Sequence, residues 1–425
     1  MKSISSTYRR VAFTLPSLLV AASFFAAACD PNKPARPPVK KVLFAIVDGI
    51  PPDVIERVNT PWIDSVAAQG GYSRAYTGGE KGAYSESPTI SAVCYTHFVT
   101  GTWTHKHNVW DNSIAAINYH YPTFFWYLKQ HDPERKIGIF STWEDNRTKL
   151  IGEGKPETGE LKMDYYADGY ELDTAAYPHD PSSHYIHRID ERVSEEAARA
   201  IREDAPDLSW VYLQYTDDIG HRFGDSEQMD SAVAIADNQV GRLWQAVQYR
   251  QERFNEEWLV YIVTDHGRDD KGYHHGGQAP RERAIWLATN DKNLNTYFHE
   301  HEPGSVDLLP TVLRFLDVEV PRQYRFEWDG IPLSGPVSHA FKSAELKGDS
   351  LLLEWEPLKG EGELNILLAT TNNHATGGTD EYETVTSVPI ADGQAAVDIS
   401  AYPADFYKVV LESSDHAANR WVLRH

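Results

Sequence analysis

Asp48, the Asp217-x-x-x-His221 pair, Asp265-His266 and His274-His275 before Gly276-Gly277 are the residues of this chain best suited to chemistry. No cysteine pair accompanies them, so any metal they hold is bound through oxygen and nitrogen. Three carboxylates and three imidazoles divide into two sites, each with an open position. Two ions held about 4 Å apart clamp the attacking and leaving oxygens of an in-line displacement. Taken singly, each cluster also reads as a turn or a solvated side chain. A further candidate is Ser91, which follows the polar turn Ser87-Pro88-Thr89 and heads the apolar run Ala92-Val93-Cys94. A hydroxyl at a helix start sits in the positive potential of unpaired N–H groups. It serves there either as a cap or as a nucleophile toward an anion.

The elements around these residues decide between the two readings. Val42–Val47 is an unbroken apolar run of strand length, as in a strand buried on both faces, and Asp48 follows at once. Trp210–Leu213 and Trp258–Val263 are similar strands, with Asp217 and Asp265 just beyond their ends. Lys136–Ser141 and Ala284–Ala288 complete the expected strands. Helices are predicted over 61–68, 124–130, 185–203, 226–256 and 306–316, besides the one begun at Ser91. Alternating strands and helices give a mostly parallel sheet covered on both faces, and ligands of such sheets bind beyond the carboxyl ends of the strands. The dispersed Asp and His residues therefore converge on one edge, which favours metal binding. The polar 152–183 stretch reads as a surface insertion.

The texture changes after about residue 337. Runs at 350–356, 363–369, 384–388, 395–399 and 406–413 are short and strand-like, with no helix between them. A small all-β sandwich is expected over 337–425, following an α/β domain at 41–336. At the other end, Lys2, Arg9 and Arg10 precede an apolar run, Val11–Ala28, and then Cys29. This order resembles a bacterial lipoprotein signal, so residues 1–29 are expected to be a signal with Cys29 lipidated. The Pro- and Lys-rich residues 30–40 then form a tether, which would place the protein lipid-anchored in the cell envelope with the membrane as a partner. Cys94 is the other of only two cysteines, so a lipidated Cys29 leaves no intrachain disulfide. A formal charge of −22 over 425 residues speaks against a nucleic-acid polymer as partner, although metal charge can still attract a small anion.

Together, the order and spacing of these motifs over about 39–320 resemble the alkaline phosphatase superfamily, on the side of its nucleotide pyrophosphatase/phosphodiesterase branch. The resemblance implies an α/β/α sandwich fold. It implies that Asp48, Asp265 and His266, with Ser91, serve one metal site. Asp217, His221 and a later His serve the other; His275 fits best and His274 is the fallback. It makes Ser91 the nucleophile, with Thr89 as the competing hydroxyl, and Asn112 a donor to a phosphoryl oxygen of the substrate. Two divalent ions, zinc foremost, and a small phosphate ester such as a nucleotide follow from it. No Arg follows Ser91, which favours a diester or pyrophosphate over a monoester. The Cys-x-Pro-x-Arg signature of sulfatases is also missing. Monoesterase or phosphotransferase activity on the same site, and a non-catalytic exported protein stabilised by metal, are the alternatives.

Overall fold

The computed structural model describes residues 36–424. The signal and the lipidated Cys29 expected at 1–29 lie outside the described residues, as does most of the tether. Among the described residues no helix is long and apolar enough to cross a membrane.

Seven strands form the main sheet: β1 (Val39–Val47), β2 (Gly71–Tyr76), β3 (Ile137–Ser141), β4 (Tyr165–Ala167), β5 (Leu208–Leu213), β6 (Glu256–Val263) and β7 (Ala284–Thr289), in the spatial order β2-β7-β6-β1-β5-β3-β4. The five from β6 to β4 run parallel; β7 is antiparallel to β6, and β2 to β7. The apolar run of β1 places it at the centre, where both of its faces are covered. Val42, Phe44 and Ile46 pack with the helices Ser91–Thr100, Phe124–His131 and Leu308–Phe315. Leu43, Ala45 and Val47 pack with His184–Glu203 and Glu227–Arg253 on the other face. The α/β/α layering expected from the alternation is therefore what the chain adopts.

The 152–183 stretch differs from expectation. It is not only surface: it contributes β4, which extends the sheet in register with β3 (Gly138 opposite Tyr165). Three other strands escape a pattern-based reading, β2 and the first and last strands of the C-terminal part, because polar or half-exposed residues interrupt their apolar pattern.

The C-terminal part is a sandwich of two antiparallel sheets. One contains β8 (His339–Lys347), β9 (Ser350–Pro357) and β12 (Gln394–Asp398). The other contains β10 (Glu363–Ala369), β11 (Glu383–Pro389), β13 (Phe406–Glu412) and β14 (Ala417–Leu423). Its own core includes Leu351, Trp355, Ile366, Leu368, Tyr407 and Val409. From Pro38 onward the sandwich and the α/β part make one compact unit, joined by a buried charge network. Lys408 on β13 holds both oxygens of Glu327 (2.7 and 2.9 Å) and Asp380 (2.8 Å). Beside it, Lys106 holds Asp329 (2.5 Å) and Asn419 (2.9 Å).

Candidate active site

Three neighbouring strands set the geometry. In β1, Val47 lies opposite Leu213 of β5, and Ile46 opposite Val263 of β6, so the chain leaves all three strands at the same edge. Asp48 emerges directly from β1. Asp265 and His266 follow β6 after Thr264. The helix Tyr215–Phe223 starts beyond β5 and carries Asp217 and His221 one turn apart on one face.

Asp48 is 1% exposed. Its Oδ2 accepts hydrogen bonds from Tyr95 and from Tyr212 (2.7 Å). Asp265 is fully buried, and its Oδ1 accepts from the Gly49 amide at 3.0 Å. The other two oxygens, Asp48 Oδ1 and Asp265 Oδ2, have no donor among the described residues. Both face His266 Nε2, at 3.3 and 3.2 Å. His266 Nδ1 lies 3.0 Å from the Gly267 carbonyl. The tautomer that donates there presents a bare Nε2 to the two carboxylates. Burial pushes both carboxyls up, Asp265 to about 7; repulsion from Asp265 and Asp217 adds to it at Asp48, and repulsion from Asp217 adds to it at Asp265. Burial also keeps His266 neutral. Unpartnered buried carboxylate oxygens around a neutral imidazole nitrogen are what a divalent cation requires, so these residues fit a metal ion.

A second donor set adjoins the first. His275 Nδ1 donates to the Thr89 carbonyl at 2.8 Å, which leaves Nε2 free, 3.1 Å from His221 Nε2. Asp217 closes the set, at 3.4 Å from His221 and 3.7 Å from His275. Burial opposes the ionisation of Asp217, but the Arg268 guanidinium and His221 hold its carboxyl well below the usual range. The ligand atoms of Asp217, His221 and His275 lie within 4.8 Å of one another, as do those of Asp48, Asp217 and His266. His274 is exposed, with its ring centroid 6.4 Å from that of His221.

Ser91 occupies the first turn of a ten-residue helix closed by Gly101 in the left-handed conformation. Ile90 takes the capping position, so the Ser91 hydroxyl is not used as a cap. Ser91 Oγ instead lies 3.2 Å from His266 Nε2. The capping role falls to Asn112, whose Oδ1 accepts from the Ala92 amide at 3.0 Å. This bond leaves the Asn112 Nδ2 hydrogens for a ligand. The competing hydroxyl, Thr89, is committed: it donates to the Gly277 carbonyl (2.8 Å) and accepts from the Gly276 amide (2.9 Å).

Sequence reading did not single out Tyr95, Tyr212 or Arg268. Tyr95 had a usable signal, being one helical turn after Ser91 on the same face. Arg268 had none, because its partners are far away in sequence.

The sequence profile of the type I phosphodiesterase / nucleotide pyrophosphatase family matches residues 42–278. Two curated proteins show similarity. GPI ethanolamine phosphate transferase 2 of Candida albicans is 22% identical over 305 residues, covering 68% of this chain and 31% of that protein. GPI ethanolamine phosphate transferase 3 of Schizosaccharomyces pombe is 26% identical over 145 residues, covering 32% and 15%. The chain thus spans less than a third of these relatives. Among solved structures, murine ectonucleotide pyrophosphatase / phosphodiesterase 5 is 13% identical with a TM-score of 0.47, covering 66% of this chain and 96% of that one. The matched 42–278 region takes in more than half of the chain and every residue of the site from Asp48 to His275, and the chain belongs to the type I phosphodiesterase / nucleotide pyrophosphatase family.

Proposed function

We propose that this chain is a phosphodiesterase that works through a phosphoserine on Ser91. The observation that carries this reading is Ser91 Oγ, at a helix start, 3.2 Å from an imidazole nitrogen that also faces two unpartnered buried carboxylate oxygens. Divalent ions, zinc foremost, held by Asp48, Asp265 and His266 and by Asp217, His221 and His275, would supply Lewis-acid charge that lowers the pKa of the hydroxyl and offsets charge on the leaving oxygen.

In the first half-reaction Ser91 Oγ bonds to phosphorus as the bond to the leaving oxygen breaks. The start of the Ser91–Thr100 helix and the Asn112 Nδ2 hydrogens hold the non-bridging oxygens, where charge must be stabilised. In the second, water displaces Ser91 from phosphorus and releases a phosphomonoester. Diesters rank above monoesters because no Arg follows Ser91 in the sequence of its helix. Arg268, the arginine of the metal-ligand loop, is engaged by Gly49 and Asp217. The relatives that transfer ethanolamine phosphate favour a second reading, in which an alcohol replaces water in the second half. The lipoprotein-like start supports an envelope location with lipid on Cys29.

Chromogenic phosphate mono- and diesters, assayed with and without an added alcohol, test the reading. The expected result is diester preference, and loss of at least about a thousandfold in turnover for Ser91→Ala at undiminished metal content. Retained turnover in that variant would remove the phosphoserine. Product found mainly on the alcohol would make the enzyme a transferase.

A further inference from the structure

Each ligand of the two donor sets comes from one of three separate segments: the Asp48–Gly49 turn, the Tyr215–Phe223 helix and the 265–275 loop. One side chain touches all three. Arg268 lies on the loop between His266 and His275, and its side chain is 1% exposed. Its Nε donates to the Gly49 carbonyl at 2.8 Å. One terminal nitrogen donates to the Asp217 carbonyl at 2.9 Å and to the Asp217 carboxylate. The other points to the Tyr273 carbonyl, 3.4 Å away. We propose that Arg268 is the positioning residue of the metal centre, a buried fork that fixes Asp217 against the Asp48 turn and so assembles the ligands before any ion binds; this rests on the metal-site reading above.

The packing shows how closely the fork is accommodated. A Cβ on Gly220 would sit 2.2 Å from the guanidinium carbon, and one on Gly49 2.6 Å from a terminal nitrogen. Gly49 also has φ +65°, a conformation that disfavours a side chain. Two glycines, one directly before His221 and one directly after Asp48, thus clear the path of the arginine. The chemistry demands the same residue. Three carboxylates converge here, and a guanidinium can neutralise one of them while bonding carbonyls in two other directions. A lysine ammonium is a single point of charge and cannot reproduce the fork. Arg268 bonds one Asp217 oxygen, and Oδ2 lies toward His221. It thereby orients a ligand in the way outer hydrogen bonds orient metal-bound carboxylates.

Cobalt(II) titration of the metal-free chain, read by visible absorption, tests the proposal on the wild type, Arg268→Met and Arg268→Lys. The wild type is expected to take up two ions. Arg268→Met should bind one of them about 10–100-fold more weakly with an altered spectrum, and Arg268→Lys should fall between. If Arg268→Met does not fold, Arg268→Lys decides, because it keeps the buried charge and loses only the fork. Wild-type affinity and spectrum in a folded variant would overturn the proposal alone. A wild-type chain that binds no cobalt would overturn the metal reading and the proposal with it.

Discussion

Two buried clusters of charge, one at the sheet edge and one at the seam with the sandwich, differ in a single respect. At the seam, Lys408, Glu327 and Asp380 are each at most 7% exposed, and every charge meets an opposite one within 3 Å. Tyr382 also donates to Glu327, and Thr371 and the Asn373 amide donate to Asp380. At the sheet edge, Asp48 and Asp265 are as deeply buried, yet each leaves one oxygen without a donor among the described residues. Burying a charge is tolerated only when it is compensated. The seam compensates its charges with the chain's own groups and is complete as structure. The edge leaves compensation to something the chain does not encode, which marks it as a place for a ligand.

The largest expected effect lies at the seam. Lys408→Met would leave Glu327 and Asp380 facing each other in the interior. Removing one partner of a buried ion pair costs about 3–5 kcal/mol, and denaturant unfolding should show a loss of that size. The catalytic constants of the protein that remains folded should stay within about twofold, because none of these groups touches the site. A loss of activity without loss of stability would reverse the assignment of this region to structure.

At the sheet edge the opposite sign is expected. Asp265→Asn removes one of the repelling carboxylates and places an amide near the unpartnered Asp48 Oδ1. The metal-free protein should therefore gain stability, by about 1.5–3 kcal/mol for a hydrogen bond formed to a charged group. The same variant should lose the extra stability that bound metal gives the wild type, which at a hundredfold excess over Kd is about 2.7 kcal/mol. Thermal melts with metal and with chelator measure both. A metal-free variant less stable than the wild type would mean that the unpartnered oxygens are no source of strain.

This contrast also explains what could be read from the sequence. Asp48, Asp265 and His266 were legible because each ends an unbroken apolar run, and a run of that length fixes both the strand and the edge at which it stops. The Asp217–His221 pair was legible from its Asp-x-x-x-His spacing just past the strand at 210–213, whereas the helix Tyr215–Phe223 that sets the two one turn apart was not among the expected elements. What stayed hidden depends on partners distant in sequence. Arg268 acquires its role from Gly49 and Asp217, and Lys408 from Glu327, 81 positions away in the α/β part. β2 exists because β7 offers it a ladder, Gly71 opposite Thr289 through Tyr76 opposite Ala284, although its own residues are polar. The middle of β14, Asn419-Arg420-Trp421, is similarly unlike a strand until Asn419 meets Lys106 and Trp421 packs against His105. Local pattern identifies elements whose two faces are buried alike, and tertiary pairing creates the others.

The smallest expected effect concerns a buried histidine that is neither an ion partner nor a candidate ligand. His97 lies on the Ser91–Thr100 helix, fully buried, with Thr77 Oγ1 3.1 Å from Nδ1 and Thr104 Oγ1 3.4 Å from Nε2. Its neighbours are hydroxyls rather than carboxylates, so burial lowers its pKa, to about 3. The folded state therefore keeps this imidazole neutral where the unfolded chain, with a pKa near 6.5, takes up a proton. Its contribution to stability is complete above pH 6.5 and is lost as pH falls toward 3, by at most about 1.4 kcal/mol per pH unit. His97→Gln retains an amide for the two hydroxyls and has no proton to take up. Between pH 6.5 and 5 its unfolding free energy should fall less steeply than that of the wild type, by about one proton's worth. Parallel slopes would mean that His97 is protonated in the folded state, and that this end of the helix, like the seam, holds a compensated charge.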